Sequence, residues 1–132
     1  MLAYDYNQNV TCYVNNVEVF GSGGVSVTKY ASTNQNRSHC IGARHAGINV
    51  TDRFKGYIAN VHFVDGQKLT PGSFAESLNG IWIPKTYGSG NALNDFGNNG
   101  FYLTFAPSTI SGTTVQDSSG KSTAVNWTAT QF

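Results

Sequence analysis

A chain of 132 residues is long enough to close one sandwich core and too short for two, and eight Lys and Arg against seven Asp and Glu leave it almost uncharged. The basic positions Lys29, Arg37, Arg44, Arg53, Lys55, Lys68, Lys85 and Lys121 are scattered, so the counterion-release driving force of nucleic-acid binders is missing, while low self-repulsion favours packing against copies or neighbours. Fifteen glycines, eight Phe, seven Tyr and two Trp, with abundant Asn, Ser and Thr, describe short strands joined by tight turns and disfavour a helix-rich fold.

The start, Met1 to Asp5, has neither a basic nor an apolar leader region, and no apolar run approaches the ~18–20 residues of a membrane span, so the chain is expected to fold where it is made. Val10-Thr-Cys-Tyr-Val14 and Val17-Glu-Val-Phe20 alternate with period two around Asn15-Asn16, a pair able to adopt the left-handed conformations of a type I′ turn. They predict a hairpin. Cys12 shares an apolar face with Val10 and Val14, and in a reducing cytoplasm both it and Cys40 are expected as buried free thiols.

After the glycine-rich residues 21–24, Val25–Tyr30 reads as a strand, residues 31–37 as a polar loop, and His39–Arg44 as a further strand. Gly56–Val64 predicts a long strand with Tyr57, Ala59, Val61 and Phe63 on a core face and Ile58, Asn60, His62 and Val64 opposite, ended by a turn at Asp65-Gly66. Leu69–Glu76 carries Thr70 as a cap candidate and Pro71 behind it, predicting one short helical turn, the only helical signal in the chain.

Ile81–Lys85 is apolar, but Pro84 confines it to an edge or an irregular crossing. Residues 88–100 read as loop, and Gly100–Phe105 as a strand with Phe101, Leu103 and Phe105 inward. The tail from Ala106 turns at Asp117–Gly120 and ends in Val125–Thr128, where Trp127 is placed to cover an open end of the core. Phe101, Leu103, Tyr57, Val61 and Phe63 are the expected core.

No constellation for catalysis stands out. Glycosidases need two carboxylates across one groove, whereas Asp5, Glu18, Asp52, Asp65, Glu76, Asp95 and Asp117 stand apart and read as turn-formers or solvated positions. His39, His45 and His62 have no ligand-like spacing with one another or with the cysteines. A calcium site from Asp117, Asn126 and backbone carbonyls is thin against the six or more oxygens such a cation takes. Residues 22–24 and 88–90 do not resemble phosphate loops, since neither is read as preceding a helix or carries Gly-Lys-Ser/Thr. The sequence therefore assigns no catalytic, cofactor-binding or metal-binding residue and no cofactor.

Five blocks in order, Gly56–Pro71 with Phe74, Gly80–Tyr87, Asn99–Phe105, Asp117–Gly120 and Asn126-Trp127, resemble a module of tailed-phage virion structural proteins: a laminin G-like domain of the concanavalin A-like lectin/glucanase superfamily, followed by a glycine- and aromatic-rich extension. The segments Tyr13–Val19 and Ile41–Arg44 look like the strands preceding Gly56 there. The family's opening apolar strand, Asp-x-Ser-Gly turn and Asn-rich strand have their likeness here near the C-terminus, in Phe101–Phe105, Asp117–Gly120 and Asn126.

The resemblance implies an all-β antiparallel β-sandwich, a concanavalin A-like or laminin G-like jelly roll, as a single domain over residues 1–132. Residues 106–132 are then an edge-strand or assembly tail, permuted within the chain or exchanged with a neighbour. It implies a bacteriophage virion structural protein, a head-surface decoration (cement) or a tail or fibre component, and no enzyme. Its partners are other capsid or tail proteins and copies of itself, with no nucleic acid and no membrane, in a virion assembled in the host cytoplasm. The alternative is a carbohydrate-binding module for host glycans, with Asn60, His62 and loop Asn and Tyr side chains reading the sugar. The surplus aromatics Tyr4, Tyr6, Tyr30, Trp82, Tyr87, Tyr102 and Trp127 are expected chiefly in protein interfaces, where rigid amphipathic rings anchor binding.

Overall fold

The computed structural model describes residues 1–4, 10–20, 39–46, 49–121 and 127–128. The expected strand Val25–Tyr30, the polar loop before Arg37, and Asp5, Tyr6 and Asn126 lie outside these residues. What is described is mostly short antiparallel strands with little helix, consistent with an all-β fold. The chain divides into two compact units, one of Met1–Ala31 with Gly66–Gly97 and one of Ser32–Asp65 with Asn98–Phe132.

In the first unit, β1 (Leu2–Tyr4), β2 (Val10–Val14) and β3 (Val17–Phe20) form a three-stranded antiparallel sheet in that order. The hairpin has the boundaries the alternation predicts, and Asn15 and Asn16 turn it with φ of 47° and 66°. Burial fades along β2, from buried Val10 to half-buried Cys12 and exposed Val14, and a bulge falls between Cys12 and Tyr13. Cys12 and Cys40 are free thiols, and both are only half-buried.

The helical turn behind Thr70 is a 3₁₀ turn at Pro71–Ser73, without a side-chain cap from Thr70. It leads into a strand that the sequence reading missed: β7 (Ala75–Leu78) pairs with β8 (Ile81–Pro84). Asn79 and Gly80, with φ of 51° and 79°, make this second two-residue turn, and Pro84 ends an edge strand as its missing N–H requires. Residues 88–100 are not all loop, because Ala92–Phe96 is a short helix, α1. Asn91 Oδ1 accepts the Asn94 amide at its start, and Gly97 leaves its end at φ 70°. A second 3₁₀ turn at Pro107–Thr109 in the other unit also contradicts the expectation of one helical signal.

In the second unit, β4 (Arg44–Ala46) pairs with β5 (Asn49–Thr51). The strand expected over His39–Arg44 begins only at Arg44, because residues 41–43 bend and Gly42 sits at φ 74°. β6 is Val61–Phe63 alone, antiparallel to β9 (Phe101–Leu103). Asn60 at φ 54° breaks the long alternating run, so Tyr57 is not in the core but fully exposed, at 102%. β9 likewise stops at Leu103: Thr104 Oγ1 accepts the Ala106 amide, and Phe105 turns to φ 57°. The tail builds a small sheet of its own, in the order β10 (Ile110–Ser111), β11 (Thr114–Val115) and β12 (Trp127–Thr128).

Candidate interaction surfaces

The β6–β9 pair separates its side chains onto two faces. Val61, Phe63, Phe101 and Leu103 lie on one, where Leu103 is 1% exposed and the Phe63 and Phe101 ring centres are 5.4 Å apart. Trp127 packs at 4.8 Å from Phe101, so the late aromatic does cover this cluster, although its buried indole Nε1 has no hydrogen-bond partner. Of the expected core, Leu103 is buried, whereas Val61, Phe63 and Phe101 are half-buried.

On the opposite face the register sets His62 against Tyr102, and their rings stack 4.1 Å apart at 14°. The Tyr102 hydroxyl donates to Asn60 Oδ1 at 2.8 Å, and His62 Nδ1 stands 3.1 Å from the Asn60 carbonyl. A carbonyl can only accept, so Nδ1 carries the proton and Nε2 is left as the acceptor nitrogen. Burial lowers the His62 pKa from its ordinary 6.5, and the Asn60 carbonyl opposes that in part. Asn60 and His62, the polar residues expected to read a sugar, are thus brought together, with Tyr102 joining them.

Around α1, the Asp95 carboxylate accepts the Ser89 amide at 2.7 Å and the Ser89 hydroxyl at 2.9 Å. Residues 88–90 do therefore precede a helix, contrary to expectation, and the anion they hold is the chain's own carboxylate. Gln67 Nε2 donates to the carbonyls of Asn94 and Asp95, and the Tyr87 hydroxyl donates to the Asp95 carbonyl at 2.6 Å. Tyr87 packs 4.8 Å from Phe74 and edge-on at 5.2 Å from buried Phe96, so it is a packing residue rather than an exposed anchor. Burial raises its pKa above the ordinary 10.0, and the Asp95 charge adds to that.

The other acids follow the same local logic. Asp52 pairs with Arg44 at 2.6 Å, and Asp65 Oδ2 accepts the Asn99 side-chain amide at 2.9 Å. Asp117 Oδ1 accepts the amides of Tyr102 and Ser119, and its Oδ2 accepts the Ser119 hydroxyl, each at 2.9 Å. Among the described residues no three His, Cys, Asp or Glu side chains converge as a metal site. No described helix is long and apolar enough to cross a membrane.

Exposed large apolar side chains include Leu2, the paired Leu78 and Ile81 of β7–β8, and two longer runs. In the first unit Val14, Val17, Val19 and Phe20 of the hairpin are all exposed, Val17 at 63%. In the second unit residues 52–60 expose Phe54, Tyr57 and Ile58. This loop is held in shape: the Phe54 amide donates to the Gly42 carbonyl at 2.7 Å, and the Phe54 ring lies so close over Gly56 that a Cβ there would sit 2.7 Å from it. Neither surface was foreseen, because alternation assigned Tyr57 and Val14 to apolar faces without showing that those faces go uncovered. The chain matches no protein-family model, and no match to it was found among curated proteins or solved structures.

Proposed function

We propose that this chain is a structural protein of a bacteriophage virion, a head-surface decoration or a tail or fibre component, acting by burying surface against its neighbours and copies of itself. On this reading the fold is a laminin G-like jelly roll. The observation that carries the proposal is the pair of exposed apolar surfaces, the Val14–Phe20 hairpin and the Phe54–Ile58 loop. Clusters of that kind mark association sites, since water must otherwise cover them. The ordered backbone of the loop adds to the case, because a preformed surface loses little entropy on docking. Near-zero net charge, and the resemblance of the blocks between Gly56 and Trp127 to phage structural modules, support the same reading.

The test is whether the chain travels with particles. Phage from a host carrying the gene is banded on a density gradient and its proteins identified by mass spectrometry. The proposal expects the chain in the particle band at a fixed ratio to the major capsid or tail protein; its presence only in the soluble lysate would contradict the proposal.

A second reading, a carbohydrate-binding module, is favoured by the cluster of Asn60, His62 and Tyr102, in which aromatic rings and amide and imidazole groups share one face. It predicts retention on a host-glycan array that falls at least about tenfold in Tyr102→Ala, as the loss of one stacking aromatic suggests.

A further inference from the structure

The outer side of β9 is closed by hydrogen bonds that do not come from a strand. In an antiparallel pair, alternate residues direct their N–H and C=O to the partner while those between them face away. Tyr102 is such a residue: its amide donates to Asp117 Oδ1 at 2.9 Å, and its carbonyl accepts the Ser118 amide at 2.7 Å. Farther along, Lys121 Nζ donates to the carbonyls of Asn98 and Gly100. Residues 117–121 therefore run antiparallel beside 98–102, with a carboxylate and an ammonium doing what a strand's carbonyl and amide would do. Ser119 clamps the carboxylate through its own amide and hydroxyl.

We infer that the Asp117–Lys121 segment is an edge guard: it occupies the outward backbone groups of β9 and keeps that strand from pairing with β9 of a second copy of this chain. A bare strand edge offers a row of unpaired donors and acceptors to any other edge. A side-chain cover satisfies those groups without presenting a new edge, because the carboxylate's remaining oxygen is spent on Ser119. The inference goes beyond the proposed function and holds whether or not the chain belongs to a virion; it implies that normal association uses the apolar side-chain surfaces rather than β9.

Hydrogen exchange and sedimentation of the full chain test it. In the wild-type protein the Tyr102 amide is expected to exchange at least ~100-fold more slowly than in an unstructured peptide, as a bonded strand amide does. In Asp117→Ala that protection falls to within about tenfold of the peptide, and the protein associates at concentrations where wild type does not. Asp117→Asn, whose Oδ1 still accepts the two amides, keeps both wild-type behaviours. Ser119→Ala, which loosens the carboxylate without removing it, gives intermediate values and serves if Asp117→Ala does not fold. An unprotected Tyr102 amide in wild type, or a folded Asp117→Ala that associates no more than wild type, overturns the inference.

Discussion

The imidazole of His62 lies 4.1 Å from the ring centre of Tyr102, directly across the β6–β9 pair and nearly parallel to it. The closeness fits the backbone, since Tyr102 turns its amide and carbonyl away from β6, and such non-bonded cross-strand pairs bring side chains nearest each other. Stacking and partial burial reduce the hydration of the imidazole, so the folded state favours the neutral form.

A pH dependence follows. The folded His62 pKa is lowered below the ordinary 6.5, so the unfolded chain binds more protons in that window, and stability rises with pH there. The contribution is fully present above about pH 6.5 and is lost as pH falls through the folded value. Melting temperature measured from pH 8 to pH 5 should drop more steeply in wild type than in His62→Asn; parallel curves would show that the stack does not bias the proton.

Leu103 and Tyr57 were both expected in the core, and only one is there. Leu103→Ala should cost about 2–5 kcal/mol by urea unfolding, because a fully buried side chain leaves a cavity. Tyr57→Ala should change stability by less than about 0.5 kcal/mol, as at other exposed positions without partners. Equal losses at the two sites would contradict the placement of Asn60 as the end of the β6 alternation.

Gly88 and Asp95 make a second local test. Gly88 has φ 111°, and a Cβ on it would meet Asp95 Oδ2 at 2.8 Å. Gly88→Ala should lose about 1–3 kcal/mol from backbone strain alone. Asp95→Ala removes the clash but not the strain, so the double variant should stay well short of wild type. Full rescue would mean that the conformation of Gly88 carries no cost.

The parts of this fold that were legible in the sequence are those with local causes. Asn15-Asn16 fixed one hairpin because both residues tolerate positive φ, whereas of the turn expected at Asp117–Gly120 only a bend at Ser119 is present, its amide donating to Asp117 Oδ1. Asn79-Gly80 is as strong a hairpin signal, but the Pro71 turn immediately before it drew residues 75 and 76 into a helical reading and hid β7. The helix at Ala92–Phe96 had its cap at Asn91 and its stop at Gly97, five residues of spacing too short for an amphipathic pattern. Period-two alternation carried Gly56–Val64 too far because it does not register a single left-handed Asn. The stacking of His62 on Tyr102 and the guard on β9 join residues far apart in the chain, and no local pattern announces which strands will meet.

The two exposed apolar surfaces also carry a mutational expectation. Replacing Val17 and Val19 by Ser, or Tyr57 and Ile58 by Ser, should leave the melting temperature nearly unchanged while reducing incorporation into particles at least about tenfold, as loss of central anchors does. Variants that assemble normally would show that these side chains are not what the neighbours cover.

A cryo-electron microscopy reconstruction of particles containing the chain tests the central claim most directly. The account predicts density for the protein on the head surface or in the tail, with residues 14–20 and 54–58 buried against adjacent subunits. Particles without this chain, or density in which both surfaces face solvent while some other face makes the contacts, would contradict it.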